Sequence, residues 1–305
     1  MRILLWHVHG SYTTALVQGR HEYFVPVTPG RGPDGLGRAR TWDWPASVHE
    51  VPLDRIAEAE PDVVILQRPH EEELARPLGR VSTVYLEHDA PGGDVPLTRH
   101  PMAGRPDLRL VHVTHFNDLF WDCGTTPTTV VEHGVVDPGP LWTGEIPRAA
   151  VVVNEPIRRG RYVGTDLLSR LDAPLDVFGM KVSGLTGCHT HEDLPQDRMH
   201  AELARRRVYV HPIRWTSLGL SLLEAMHLGM PVVALATTEV VEAVPPEAGV
   251  ISTRVDVLRR TIRRYLDDPA EAAEAGRAAR KSVLDRYGLR RFLDDWDHVL
   301  LEVTA

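Results

Sequence analysis

Residues 207–236, RVYVHPIRWTSLGLSLLEAMHLGMPVVALA, constrain the fold of this chain more than any other stretch. Arg207–His211 is a short run rich in Val and Tyr, the pattern of a buried strand. Pro212 ends it, because proline has no N–H to give to a ladder. Leu218 to Leu228 follows as a helix, with Leu218, Leu222, Ala225 and Met226 near the helical period, and Thr216 or Ser217 stands where a cap would. Gly229 and Pro231 stop that helix, and Val232–Leu235 is the next strand. Strand, helix and strand in so few residues make one β-α-β unit, whose crossover requires parallel strands.

The same alternation recurs along the chain. Apolar runs predict strands at Arg2–Val8, Tyr23–Val27, Asp62–Leu66, Ser82–Leu86, Leu110–Thr114 and Thr129–Glu132, then at Ala149–Val153, Leu175–Phe178 and Gly249–Ile251. Leu53–Ala59 and Met199–Arg206 have helical character, and from Val255 the pattern is helical throughout, with Asp268-Pro269 opening Ala270–Arg286. Residues 28–50, which hold Gly30, Gly32, Pro33, Gly35 and Gly37, read as a long loop, as do residues 181–197. Pro138–Pro147, with Gly139 and Gly144, suits a linker. Two successive sets of strands and helices predict an α/β protein of two Rossmann-like, doubly wound parallel-sheet domains facing a cleft. The expected boundaries are 1–145 and 146–288, followed by a last helical segment, 289–305.

A length of 305 residues accommodates two such domains. The formal charge of −8, from 34 basic and 42 acidic residues, argues against a nucleic-acid binder, which carries a basic footprint. No apolar run approaches a membrane span, and Met1–Leu5 enters a strand directly without a signal peptide. Cys123 and Cys188 form no Cys-x-x-Cys pair, so the expected compartment is the cytoplasm. Lys181 and Lys281 are the only lysines, so an anion site here must be built from Arg.

Glu224 is a carboxylate inside an apolar helix, where burial without a partner is costly. A ligand rich in hydroxyls such as a ribose diol, an Arg partner or a solvent-facing side would each resolve it. Asn154–Arg161 carries Arg158 and Arg159 just after a strand, and guanidinium groups give phosphate oxygens bidentate donors. After the first strand, His9-Gly10-Ser11 lets a ligand approach the backbone. His7 and His9 lack a clear carboxylate or Cys partner, which favours a structural role over a metal site. His189, His191, Glu192 and Asp193 cluster in a polar stretch and are expected to be exposed. Trp42 and Trp44 either anchor the long loop on the core or offer a stacking platform.

The order Pro212, Arg214, Gly219, Leu220, Glu224-Ala225-Met226, Gly229, Pro231-Val232-Val233-Ala234 resembles the donor-site signature of retaining glycosyltransferases of family 4. That resemblance implies the GT-B fold, a nucleoside-diphosphate sugar donor (UDP- or GDP-linked), and an acceptor that is a small molecule, a glycan or a lipid-linked sugar. It implies neither a cofactor nor a catalytic metal. It assigns the donor ribose to Glu224, and it places Thr216 where the family has a Glu that contacts the donor sugar. Ser217, Leu218, Gly219 and Leu220 fall at the sugar or phosphate, Arg158 and Arg159 at the diphosphate, and Glu239 beside the nucleotide. Gly10 and Ser11 match a loop near the donor phosphates and acceptor, and His88 matches a His that contacts the donor sugar. The segment 289–305 matches a helix that returns to the first domain. A GT-B protein that binds a nucleotide or a protein partner without transfer is the alternative, because Thr216 departs from the pattern.

Overall fold

The apolar runs become strands, and every ladder between strands is parallel. The computed structural model describes residues 1–305, which divide into two units, residues 1–136 with 289–305 and residues 137–288. The first unit contains β1 (Arg2–Leu5), α1 (Gly10–Leu16), β2 (Glu22–Val27), β3 (Val48–Pro52), β4 (Val63–Leu66), α2 (Glu71–Ala75), β5 (Ser82–Glu87), β6 (Arg109–His112), α3 (His115–Phe120) and β7 (Thr128–Val130). Its sheet runs in the order β3-β2-β1-β4-β5-β6-β7. All four residues of β4, VVIL, are buried, as expected of a central strand covered on both faces.

The second unit contains β8 (Ile146–Val152), α4 (Pro156–Arg159), α5 (Thr165–Leu168), β9 (Leu175–Gly179), β10 (His189–Glu192), α6 (Gln196–Ala204), β11 (Arg206–His211), α7 (Leu220–Leu228), β12 (Val232–Leu235), α8 (Val240–Ala243), β13 (Gly249–Ser252), α9 (Val255–Asp267) and α10 (Pro269–Tyr287). Its sheet runs β10-β9-β8-β11-β12-β13. The Asp268 side chain caps α10, accepting from the N–H groups of Ala270 and Glu271 at 3.0 Å each. The chain ends in α11 (Leu289–Thr304), which belongs to the first unit. There Phe292 and Trp296 are buried, and the Trp296 indole donates to the Tyr12 hydroxyl at 3.0 Å.

Two expected loops contain strands. β3 interrupts residues 28–50 and β10 interrupts residues 181–197, each as a parallel edge strand. Both are invisible to apolar periodicity for the same reason. An edge strand needs few apolar residues, and HTHE of β10 has none, while VHEVP of β3 has two valines. Helix α7 begins at Leu220 rather than Leu218, because Gly219 is extended (φ −71°, ψ 119°). Leu53–Ala59 winds as 3-10 turns rather than as an α-helix.

Each sheet order reverses once: between β1 and β4 in the first unit, and between β8 and β11 in the second. In open parallel sheets the crevice outside the carboxyl ends of the strands at such a reversal is where ligands bind. The segments following β1, β4, β8 and β11 line these crevices. No helix is long and apolar enough to cross a membrane.

Candidate functional site

In the second unit, β8 leads into a tight turn that presents a group of cations. Glu155 is left-handed (φ 52°) and opens α4, the single turn that carries Arg158 and Arg159. Arg158 is exposed and already engaged: its Nε donates to Glu155 Oε2 at 2.8 Å, while Lys181 Nζ lies 2.5 Å from Glu155 Oε1. Those two cations, Arg158 foremost, bring the Glu155 carboxyl down to about 2. Arg159 is half-buried and its guanidinium makes no hydrogen bond or ion pair within the protein. It is the uncommitted cation of the pair.

The neighbouring strand β11 ends at His211, and residues 212–219 run back to α7. Arg214 holds Asp166 with two bonds, at 2.5 and 2.8 Å, and donates to the Arg161 carbonyl at 2.7 Å. This ties the β11 loop to the start of α5. The approach is so close that a Cβ on Gly164, whose φ is +77°, would lie 2.0 Å from the Pro212 carbonyl oxygen. Thr216 is half-buried with no hydrogen bond in the protein, while Ser217 and Leu218 are buried. Gly219 precedes α7 without a side-chain cap bond, and Leu220 opens the helix. A Cβ on Gly219 would lie 2.5 Å from Cε1 of the buried His211 ring beneath it. His211 Nδ1 lies 3.3 Å from the Tyr209 hydroxyl, which also meets Ser221 Oγ at 3.0 Å.

Glu224 follows one turn later and is buried, 3% exposed. Of the ways to resolve it, a solvent-facing side is not what the fold supplies. His200 on α6 approaches it, with Nε2 at 3.5 Å from the carboxylate. Glu239, also buried, meets Arg286 at 3.4 Å. The loops after β8 and β11 thus carry Arg158, Arg159, Thr216, Ser217, Leu218, Gly219 and Leu220 at one sheet reversal. Glu224 lies on the helix that follows, and Glu239 lies after β12.

The first unit presents a different chemistry. Gly10 and Ser11 open α1 after β1, and a Cβ on Gly10 would meet the Trp42 indole nitrogen at 3.2 Å. Trp44 is buried and its indole donates to Thr14 Oγ1 at 2.7 Å, which makes it an anchor; Trp42 is half-buried beside Gly10. His7 Nδ1 lies 2.9 Å from the Gly37 carbonyl, and its ring lies 4.7 Å from that of Trp44. The His9 ring lies 4.0 Å from that of His88, which the Tyr12 ring meets edge-on at 4.6 Å. Burial holds His7 and His9 below the usual imidazole value, and burial, then the charges of His9 and His133, hold His88 far below it.

His189, Glu192 and Asp193 are exposed as expected, and His191 is half-buried. His191 stacks on Phe178 at 4.3 Å, and both histidines lie within 3.6 Å of Asp176, a buried carboxylate that Arg148 and Arg206 also bind. Four residues of the sites were not legible beforehand: Gln67, His200, Asp166 and Lys181. Gln67 did carry a signal, since it directly follows the buried VVIL of β4. That signal acquires meaning only once β4 is known to flank the sheet reversal.

Residues 184–282 match the family described as glycosyl transferases group 1. A 2-deoxystreptamine glucosyltransferase of Streptomyces kanamyceticus is 34% identical over 99 residues, a match covering 32% of this chain and 26% of that enzyme. The chain thus matches about a quarter of that relative's length. Sucrose-phosphate synthase from Thermosynechococcus elongatus has a similar solved structure, with a TM-score of 0.70 at 14% identity over 99% of this chain and 98% of that one. Anabaena Alr3699/HepE, solved in complex with UDP, gives 0.69 at 13% identity over 99% and 100%. These structures show the fold, two Rossmann-like domains of the GT-B class.

Proposed function

We propose that the chain is a retaining, metal-independent glycosyltransferase that moves a sugar from a nucleoside-diphosphate sugar to a small-molecule, glycan or lipid-linked acceptor. The observation that carries the reading is Glu224, a carboxylate 3% exposed on the helix after β11, inside the segment that matches the glycosyl transferases group 1 family. A ribose diol donates two hydroxyls, which suits the oxygens of a carboxylate as acceptors. Arg159, with Arg158 beside it, supplies charge to the diphosphate. Helix α7 adds backbone N–H groups at an N-terminus that no side chain caps, a favourable place for phosphate oxygens.

In this reading the donor breaks at its anomeric carbon, and negative charge grows on the departing diphosphate as the sugar takes on oxocarbenium character. Fixed cations and helix amides stabilise that growing charge without reorganising, which is where such a site lowers the barrier most. The acceptor occupies the domain of residues 1–145, the donor that of residues 146–288, and residues 289–305 return to the first. UDP is the first nucleotide to test, because the structurally similar Anabaena protein was solved with UDP and with UDP-glucose.

Thr216 favours a second reading, a protein that binds a nucleotide or a protein partner without transfer, because the resemblance places a sugar-binding Glu there. One experiment separates the two. Melting temperatures are measured with UDP, GDP, dTDP, ADP and their sugar conjugates, for the parent and for Glu224→Gln. A ligand at 100 times its dissociation constant stabilises the folded state by about 2.7 kcal/mol. A rise with one nucleotide, lost in Glu224→Gln, supports the donor site, and release of that nucleotide with an acceptor supports transfer. A nucleotide shift with no release against any acceptor selects the second reading. No shift with any nucleotide overturns both nucleotide-binding forms.

A further inference from the structure

The first unit holds a hydrogen-bonded relay across its sheet reversal. Trp6 follows β1, Gln67 follows β4 and His88 follows β5, and these three strands are adjacent in the order β1-β4-β5. Gln67 Nε2 donates to the Trp6 carbonyl at 2.6 Å, and Gln67 Oε1 lies 3.0 Å from His88 Nε2. The orientation of the amide is not a free choice. A peptide carbonyl only accepts, so the NH₂ must face Trp6 and the oxygen must face His88. An amide oxygen in turn only accepts, so His88 Nε2 must carry a proton.

The Gln67 backbone is held as well. Gln67 N–H donates to Glu71 at 2.6 Å, and the Gln67 carbonyl accepts from the Tyr85 hydroxyl at 3.2 Å. Glu71 is itself fully buried and braced by Arg68 Nε at 2.6 Å. Turning the carboxamide to offer its NH₂ to the imidazole would set its oxygen against the Trp6 carbonyl, two acceptors with no proton between them. His88 Nδ1, by contrast, makes no hydrogen bond within the protein.

We propose that Gln67 is a positioning residue that locks His88 in its Nε2–H tautomer and so presents Nδ1 as a hydrogen-bond acceptor for a hydroxyl of the sugar. The sugar hydroxyl rests on the glycosyltransferase reading above; the tautomer does not. The groups facing the imidazole are the His9 ring, the edge of Tyr12, and His133, none of which is a carboxylate that would draw a second proton onto it. A neutral His88 with Nδ1 free can accept but not donate there, so it selects a hydroxyl and rejects a carbonyl or carboxylate at the same point.

Long-range proton–nitrogen spectra of the ¹⁵N-labelled full chain, with His88 assigned by its loss in His88→Asn, test this directly. The expected result is a single Nε2–H tautomer for His88, unchanged between pH 6 and 8. Gln67→Leu removes the acceptor, and His88 should lose that single tautomer and show averaged nitrogen shifts. Gln67→Glu should instead bring the doubly protonated imidazolium into the same pH range. An Nδ1–H tautomer in the parent overturns the proposal, and the parent spectrum decides this even if a variant fails to fold. An unchanged tautomer in Gln67→Leu overturns it too. The nucleotide-induced melting shift is read in parallel: its absence in the parent counts against the donor reading and leaves the tautomer result standing. Where transfer is measured, Gln67→Leu should lower kcat without altering UDP affinity, and equal losses in both contradict a positioning role.

Discussion

Gly219→Ala isolates one close approach that shapes the nucleotide-side loop. The backbone at Gly219, φ −71° and ψ 119°, is open to any L-residue, so no dihedral strain enters. Everything turns on space. The new methyl would lie 2.5 Å from Cε1 and 3.1 Å from Nε2 of His211, a ring with no exposed surface. That ring is not the loose end of a flexible chain, since its Nδ1 lies 3.3 Å from Tyr209 and its flanks are core. Overpacking of this kind costs about 1–3 kcal/mol. Replacing glycine returns about 0.4–1 kcal/mol by narrowing the unfolded ensemble. A net loss of about 1–2 kcal/mol follows, a drop in melting temperature of roughly 2–8 °C for a unit of this size. The assay is a double-mutant cycle by thermal unfolding with His211→Ala as the second change. Once the ring is gone the methyl has room, so Gly219→Ala in that background should be neutral or stabilising, a coupling of about 1–3 kcal/mol. If Gly219→Ala lowered stability equally in both backgrounds, or left the parent unchanged, the steric argument would be refuted.

Stability should also fall with acid over a defined window. Burial brings His211 and His112 down to about 4 from 6.5, so between those values the unfolded chain takes up protons that the folded chain refuses. Stability is therefore flat above pH 6.5 and declines as pH falls toward 4, by on the order of 3 kcal/mol for each fully buried imidazole. Melting curves across pH check the slope, and His211→Ala should remove its share; a melting temperature unchanged over that window contradicts the sign. The two arginines of α4 should separate in UDP titrations. Arg159→Ala should weaken binding about 10- to 100-fold, the loss of a charge-assisted hydrogen bond, whereas Arg158→Ala, whose guanidinium is engaged by Glu155, should stay within about threefold of the parent. The reverse ranking would assign the diphosphate to Arg158.

Residues that announce themselves by contrast were legible in the chain. Glu224 stands out because its neighbours Leu222, Leu223, Ala225 and Met226 are apolar and buried, so a carboxylate among them needs a reason. Gly229 and Pro231 mark the end of a helix, because a left-handed glycine and a residue without an N–H stop one. What the chain hides is lateral order. The β-α-β rhythm implies parallel strands, yet nothing in it says that β1 lies beside β4 or β8 beside β11, and those neighbours locate the crevices. Partners distant in sequence are hidden for the same reason: His200 meets Glu224 from another helix, and Asp166 meets Arg214 from 48 residues away. The edge strands β3 and β10 escape because strand propensity is a statement about burial, and an edge buries little.

The two sheet reversals share a topology and differ in charge, and that difference separates their possible ligands. After β8 and β11 the side chains are permanent cations: Arg158, Arg159, Arg161 and Arg214, with Lys181 joining from the end of β9. A guanidinium keeps its proton at any physiological pH, so such a site answers to a ligand of fixed negative charge. After β1, β4 and β5 the side chains are His7, His9, Gln67 and His88, and burial keeps all three imidazoles below their ordinary value. Uncharged rings and an amide offer single donors and acceptors rather than a field. They discriminate by the direction of a proton, which is the information that a neutral hydroxyl carries and a phosphate does not. A diphosphate at the second unit and a hydroxylated group at the first are each what the local residues can hold, and exchanging the two ligands would leave Arg159 without a charged partner and the imidazoles facing a charge they cannot neutralise.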